Sequence, residues 1–266
     1  SEGICKSIVL NDTNNQIKLV WQNEINNTNY MFYRLYNIKI IDLSHFNSSL
    51  VKSMNYMFSY CYNLTSIDFS NINTSLVTSM QFMFQGCQSL SSLNLIGFNT
   101  SKVTSMKSMF SSCIKIKNLD LSFLDTSSVD NMENMFYNCT SLDSLDITSF
   151  NTINVINMNS MFRYLKITSL DLSNFNTSNV NTMSFMFERI ISLNLTNFNT
   201  SYVKSMDGMF LSCRDLRMVD ISSFDTSNVT DMSGLFSGCT NITKINLINF
   251  NTSSVIKMSN MFYNCK

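Results

Sequence analysis

The chain has 266 residues and no formal net charge at pH 7, because 18 Lys and Arg balance 18 Asp and Glu. A neutral chain lacks the basic surface of a nucleic-acid binder, so we expect no nucleic-acid partner. No apolar run approaches the ~18 residues that a membrane-spanning helix requires, so we also expect no membrane insertion. With six glycines and no phosphate-binding glycine motif, the sequence predicts no nucleotide cofactor.

One pattern recurs with a period of 26 residues from residue 25 to residue 266, and residues 1–24 do not match it. Residues 1–24 include Trp21, which is the only tryptophan, and Cys5, which lies outside the repeat. Solenoids require terminal units with a polar outer face. We therefore predict that residues 1–24 form an N-terminal cap.

The repeat has the template V-x-x-M-x-x-M-F-x-x-C-x-x-L-x-x-L-x-L-x-x-F-N-T-S-x, and residues 103–128 show it most clearly. Seven cysteines follow this period: Cys61, Cys87, Cys113, Cys139, Cys213, Cys239 and Cys265. We align ten units, of which the one from Val155 lacks one residue, the one from Val180 lacks three and the last is incomplete. A period of this length is typical of a solenoid. The sequence predicts one continuous repeat domain over residues 25–266.

Two periodicities alternate inside each unit. The M-x-x-M-F-x-x-C segment has the spacing of one helical face and predicts a short helix, as in residues 106–113. The L-x-L segment, as in residues 119–121, predicts a half-buried strand, and V-x-x-M is short enough for a second strand. The Phe-Asn/Asp-Thr-Ser segment predicts a turn. Together these elements predict an α/β solenoid, a stack of about ten units with parallel strands and short helices.

The segments VTSMKSMFSSC (residues 103–113), IKNLDLS (116–122) and TSNVTDMSGLFSGCTNITKINL (226–247) resemble leucine-rich repeats of the BspA type. This family has 26-residue repeats and occurs in surface proteins of bacteria, protists and viruses. The resemblance covers residues 25–266. It implies a leucine-rich-repeat solenoid, an extracellular or cell-surface location and a role in adhesion or binding. The family has no shared catalytic residues to transfer.

The cysteine column allows three interpretations: buried free thiols, disulfides between neighbouring units, or a line of metal ligands. Aliphatic residues take the cysteine position in three units, as Leu35, Leu165 and Ile190. An aliphatic side chain can replace a small buried thiol but not a half-cystine or a metal ligand, so buried thiols are favoured. No C-x-x-C pair is present, and we expect no metal.

The Asn-Thr-Ser and Leu-Asp-Leu columns each have two interpretations. The first has the form of a glycosylation site, but Asp125 and Asp225 occupy the Asn position in two units, which favours a turn-capping oxygen. The second is either a cation site or a solvated strand face. Asn94, Asn194 and Asn246 interrupt this column, which favours the solvated face.

No arrangement of residues predicts catalysis. His45 is the only histidine and no column of nucleophiles accompanies it, so we expect no enzyme activity and no cofactor. Candidate sites are instead the places where the repeat departs from its own pattern. One departure, at Arg163, Tyr164, Glu188 and Arg189, is interpreted as an ion pair between neighbouring units.

The other departure is a set of aromatic residues in the first three units. Its members form our candidate partner surface: Tyr30, Tyr33, Tyr36, Tyr56, Tyr60, Tyr62 and Phe82. Exposed aromatic clusters are enriched in binding surfaces. The alternative is that the N-terminal cap covers these rings.

Two functions follow as hypotheses. The first is a non-enzymatic adhesion or binding module that presents a repetitive face to a protein or glycan on a surface. The second is a structural subunit of a surface coat or filament, in which copies of the chain assemble head to tail. The residues expected at such an end-to-end contact are Val255, Met258, Met261 and Phe262.

Overall fold

The structure is a computed structural model that describes residues 24–168 and 170–266. Apart from Glu24, the expected cap over residues 1–24 lies outside the described residues, with Cys5 and Trp21. The described part of the chain is a repeat solenoid in which each unit contacts the units before and after it.

Short parallel strands form at the L-x-L segments of six units. β1 (Ile40–Asp42) pairs with β2 (Ser66–Asp68), β3 (Asn118–Asp120) with β4 (Ser144–Asp146), and β5 (Met218–Val219) with β6 (Lys244–Ile245). Each residue pairs with its equivalent one unit later, so Leu119 lies opposite Leu145. The alternating burial expected of L-x-L is present in β3, where Leu119 is buried between two exposed residues.

A second line of parallel pairing runs through the V-x-x-M segments. Its members are single-residue bridges that connect Ser53, Ser79, Ser105, Asn131, Asn157, Thr182, Ser205, Asp231 and Lys257 in succession. The bridges continue through the two shortened units, because the deletions fall between the cysteine position and the strand. The V-x-x-M segment, for which a second strand was considered, therefore forms a parallel bridge of one residue in each of these units rather than a longer strand.

The predicted helices are wrong: the described residues contain no helix. In residues 106–113 the segment forms consecutive tight turns, in which the Met109 N–H donates to the Met106 carbonyl (3.1 Å) and the Cys113 N–H to the Phe110 carbonyl (3.1 Å). The M-x-x-M and F-x-x-C motifs are the first and last residues of two four-residue turns. The buried positions of such turns have the same spacing as one face of a helix, which is why the pattern predicted a helix.

Alternate N–H groups of this segment donate outside the unit. Those of Ser108, Phe110 and Ser112 donate to the next unit, to the carbonyls of Glu133 (2.8 Å), Met135 (3.0 Å) and Tyr137 (2.7 Å). A helix directs every N–H back along its own axis. Here alternate N–H groups bind along the stack instead, and the turns become a hydrogen-bonded ladder between units.

Two residues in every unit adopt the left-handed conformation that makes these turns possible. In residues 103–128 they are Ser108 (φ 54°) and Ser112 (φ 61°). Left-handed residues interrupt a helix, because the conformation is costly for residues with a Cβ and does not propagate. The same two positions hold glycine or asparagine in other units: Gly86, Asn134, Asn138, Gly208, Gly234, Gly238, Asn260 and Asn264.

The core is a set of columns in which identical side chains lie above one another. The longest is a phenylalanine stack, in which the Phe110 ring lies 5.8 Å from both Phe84 and Phe136 with the planes nearly parallel. Val103, Met106 and Met109 are fully buried beside it, and so are their equivalents in neighbouring units. The core is therefore narrow and continuous along the solenoid.

The Phe-Asn/Asp-Thr-Ser turns contain a buried column of threonines. The Thr74 hydroxyl donates to the Asn99 carbonyl (3.0 Å) and accepts the Asn99 N–H (2.7 Å). Asn99 Oδ1 in turn accepts the N–H of Ser101 (3.1 Å), and Asp125 Oδ1 accepts the N–H of Ser127 (2.9 Å). The turn-capping interpretation of the Asn and Asp column is therefore confirmed.

Phe110→Ala should lower the free energy of unfolding by about 3–5 kcal/mol, because it opens a cavity between two neighbouring rings. Phe123→Ala, in the same unit, is the matched control: Phe123 is 36% exposed, and its loss should cost much less. Denaturant unfolding of both variants measures the difference. Equal losses would contradict the assignment of the phenylalanine column to the core.

Candidate functional site

The seven aromatic residues predicted as a partner surface lie together on the first described units, and we call them the N-terminal aromatic patch. Tyr30, Tyr56 and Phe82 stack in one column, with ring centroids 4.7 and 4.4 Å apart and planes within 9°. Tyr36 and Tyr62 stack in a second column at 5.1 Å.

Tyr33 and Tyr60 connect the two columns through edge-to-face contacts. The Tyr33 ring lies 5.4 Å from Tyr30 and 6.0 Å from Tyr60, and Tyr60 lies 6.0 Å from Tyr62. Both stacked and edge-to-face pairs are favourable arrangements of aromatic rings. The patch is therefore one connected ring cluster rather than two separate columns.

Arg34 belongs to this patch, and sequence reasoning missed it. Its guanidinium lies over the Tyr33 ring (5.0 Å) and the Tyr60 ring (5.8 Å), which gives two cation–π contacts. The signal in the sequence was a charged residue among tyrosines, at a repeat position that holds Gly86 and Asn138 in other units.

The patch is open to solvent at its outer rings. Tyr30 is 54% exposed, Tyr36 and Tyr62 are exposed, and Tyr33 and Phe82 are half-buried. Partial burial, and then the neighbouring tyrosines, raise the pKa of the Tyr56 hydroxyl. Tyr56 therefore remains a neutral hydrogen-bond donor throughout the physiological pH range.

The first aromatic column occupies a backbone position that suits other residues better. Tyr30, Tyr56 and Phe82 have φ of 60°, 57° and 58°, in the left-handed region where bulky residues are rare. Gly86 makes room for the neighbouring ring, because a Cβ on Gly86 would lie 2.7 Å from Tyr60 Cδ1. Tyr30, Tyr56 and Phe82 therefore carry a backbone strain that glycine or asparagine at this position would avoid.

The second departure from the repeat is a paired cluster, as interpreted from the sequence. The Arg163 guanidinium forms an ion pair with the nearly buried Glu188 carboxylate. It also lies over the rings of Phe185 (4.5 Å) and Tyr164 (4.8 Å), and the Arg189 guanidinium lies 5.1 Å from the centre of the Tyr164 ring. The Arg163 and Glu188 charges are paired with each other, so the cluster joins the two shortened units.

The cysteine column consists of free thiols in the described residues. Each thiol points back to the preceding unit: the Cys113 thiol donates to the Phe84 carbonyl (3.1 Å) and the Cys139 thiol to the Phe110 carbonyl (3.1 Å). Leu165 and Ile190 are buried at the equivalent position, as expected of an apolar site, whereas Leu35 is exposed. The described residues contain no cluster of three or more metal-ligating side chains.

The Asp column is solvated, and each carboxylate caps its own turn. Asp120 Oδ1 accepts hydrogen bonds from both the hydroxyl (2.6 Å) and the N–H (2.9 Å) of Ser122, and these two bonds lower the pKa of Asp120.

His45, the histidine considered for catalysis, lies beside Ser44: its Nδ1 shares a hydrogen bond with the Ser44 hydroxyl (2.9 Å). In the described parts of the chain, no helix is long and apolar enough to cross a membrane.

The residues expected at an end-to-end contact differ in exposure. Met258 and Phe262 are exposed and Val255 is half-buried, but Met261 is buried. The Phe262 ring stacks on Phe236 at 5.7 Å. Assembly through these residues stays a prediction.

With this geometry in place, the chain can be compared with known proteins. It matches the family described as "Mycoplasma protein of unknown function, DUF285" over residues 6–118, 104–196 and 190–266. These ranges together cover nearly the whole sequence. The chain belongs to the DUF285 family. Curated proteins give no match.

Solved structures similar to the chain are leucine-rich repeat proteins, the type of protein that its motifs resemble. A leucine-rich repeat protein from T. pallidum is 16% identical, with a TM-score of 0.35, over 85% of this chain and 75% of that one. One from Bacteroides ovatus is 16% identical, with a TM-score of 0.29, over 93% and 82%. A leucine rich cell surface protein from Faecalibacterium prausnitzii is 14% identical, with a TM-score of 0.28, over 77% and 82%.

The buried thiols should resist modification in the folded chain. Burial raises the pKa of Cys61 to about 11 and that of Cys139 to about 12, so thiolate is scarce at pH 8. In a Cys5→Ser background, a thiol reagent should label the half-buried Cys265 first and the others only after denaturation. Rapid labelling of Cys113 or Cys139 in the native state would contradict their burial.

The same thiols make stability depend on pH. Thiols of the unfolded chain ionise near about pH 8.5, whereas Cys61 and Cys139 stay protonated to higher pH in the folded chain, so through these two residues the folded state binds more protons above that value. Stability should be constant below about pH 8 and fall as the pH rises towards the folded-state values. A Cys139→Ala variant is the control, and its stability should fall less steeply over this range.

Proposed function

We propose that this chain is a non-enzymatic binding module that acts outside the cell or at its surface, with the N-terminal aromatic patch as its contact surface. The observation that carries the proposal is the cluster of seven aromatic rings, held together on one part of a solenoid whose phenylalanine columns are buried in the core. Tyrosine and arginine are enriched among the residues that dominate binding energies at protein interfaces.

The arrangement of the rings favours a protein partner over a glycan at this patch. A sugar ring stacks on the face of an aromatic ring, but each ring of the two columns has at least one face covered by a neighbouring ring 4.4 to 5.1 Å away, and Tyr56 has both faces covered. Arg34 lies over Tyr33 and Tyr60. The patch therefore presents ring edges, hydroxyls and a guanidinium, which suit the carbonyls and side chains of a protein surface.

The stacking also supports binding through preorganisation. Each tyrosine is already fixed by at least one ring neighbour, so a partner would restrict little additional side-chain motion. Binding that avoids this ordering cost retains more of its contact energy.

The triple variant Tyr30→Asn, Tyr36→Ser and Tyr62→Ser should lose binding to cultured epithelial cells, measured by flow cytometry with the labelled chain. Asn suits the left-handed backbone of Tyr30, and the other two rings are exposed, so the variant should fold. Trypsin treatment of the cells should abolish wild-type binding, and periodate oxidation of their glycans should not.

The matched control is Tyr263→Ser, which removes a ring that is 67% exposed outside the patch and should leave binding unchanged. Binding that survives the triple substitution, or that periodate removes, would contradict a protein-binding patch. A large loss of thermal stability in the triple variant would show that the rings pack beneath another segment.

A further inference from the structure

A second surface feature lies in later units of the solenoid than the N-terminal aromatic patch. It is an open groove of about 450 Å³ over three consecutive units. The residues that line it flank the buried valines at the start of those units: Asn154, Ile156, Asn179, Asn181, Tyr202 and Lys204. Backbone hydrogen bonds hold the units in register beneath it, from Asn181 N–H to Ile156 (2.9 Å) and from Lys204 N–H to Asn181 (2.8 Å).

Tyr202 breaks the pattern of its column. The equivalent residues of neighbouring units are Asn154, Asn179 and Asn228, so one aromatic ring stands in a line of amides. The Tyr202 ring is 66% exposed, and within residues 24–168 and 170–266 no other ring stacks on it. In the two columns of the N-terminal aromatic patch, by contrast, every ring has at least one face covered by a neighbouring ring.

The amides beside the ring are held in fixed orientations. Asn154 Nδ2 donates to the Ser127 carbonyl (2.7 Å) and Asn179 Nδ2 to the Ile153 carbonyl (2.7 Å), each in the preceding unit. An amide anchored in this way keeps its Oδ1 as an acceptor and one further N–H as a donor. Because these groups are already ordered, a ligand that bonds to them avoids part of the usual entropy cost.

An uncovered aromatic face beside fixed amides is complementary to a sugar ring, which has an apolar C–H face and a rim of hydroxyls. We propose that this groove binds a neutral oligosaccharide, with a pyranose ring stacked on Tyr202 and its hydroxyls bonded to Asn154, Asn179 and Asn181. Lys204 is the only charged residue in the lining, too little positive charge for a phosphate-rich ligand. Most of the other side chains are amides, whereas pockets for apolar small molecules are mainly hydrophobic.

The test is a titration of the full chain with cellotetraose, maltotetraose and chitotetraose, in which binding is measured by calorimetry and by saturation-transfer NMR. At least one of these neutral tetrasaccharides should bind. Tyr202→Ser should weaken that binding by about tenfold, a change of about 1.4 kcal/mol. Tyr202→Phe should retain it, because stacking requires the ring and not the hydroxyl.

Two controls separate this site from the rest of the surface. Tyr263→Ser, which removes a ring of similar exposure, should leave tetrasaccharide affinity unchanged. The triple variant of the N-terminal aromatic patch should also bind normally, so the two proposals can fail independently. Absence of binding by all three sugars, or equal affinity of Tyr202→Ser and wild type, would overturn the proposal.

Discussion

The structure depends on a hydrogen-bond pattern in which alternate backbone N–H groups of the turn segment bind to the next unit. The N–H groups of Ser108, Phe110 and Ser112 all point along the stack, whereas those between them close turns inside the unit. Left-handed residues at two positions per unit produce this alternation. A unit built in this way cannot satisfy its own backbone, so it is stable only against a neighbour.

Because the units stack in register, equivalent side chains lie above one another and form apolar or polar columns. Apolar columns fill the core, and polar columns need partners that repeat with the same period. The thiol of each cysteine finds a phenylalanine carbonyl one unit earlier, and each turn threonine finds the backbone of the next unit. In the described part of the chain, no buried side-chain nitrogen or oxygen lacks a hydrogen-bond partner. The surface residues are therefore free to vary, and that is where the two candidate binding surfaces lie.

Much of this architecture was predictable from the sequence, because a period of 26 residues determines which residues lie above one another. A strand at the L-x-L segment (β3), the capped turn at Asn99 and the clustering of Tyr30 with Tyr56 follow from it. The helix was wrong, because M-x-x-M-F-x-x-C has the same apolar spacing in a helix and in two successive turns. The decisive signal was the pair of positions that holds Gly234 and Gly238 in one unit and Asn134 and Asn138 in another. Both residue types tolerate a left-handed backbone, which a helix does not contain.

The candidate sites were predictable only in part. Tyr36 and Tyr62 were placed together by the repeat, but the register does not reveal whether a ring face is covered or open. The coverage of Tyr33 by Arg34 and the free face of Tyr202 depend on side-chain directions. These directions separate the two surfaces, since covered rings suit a protein partner and an open ring suits a sugar.

The most direct test of this account is NMR measurement of couplings across hydrogen bonds in the deuterated chain. Couplings should connect the amide nitrogens of Ser108, Phe110 and Ser112 to the carbonyl carbons of Glu133, Met135 and Tyr137 in the next unit. Couplings from these nitrogens to carbonyls four residues earlier in the same unit would show a helix and would contradict the account.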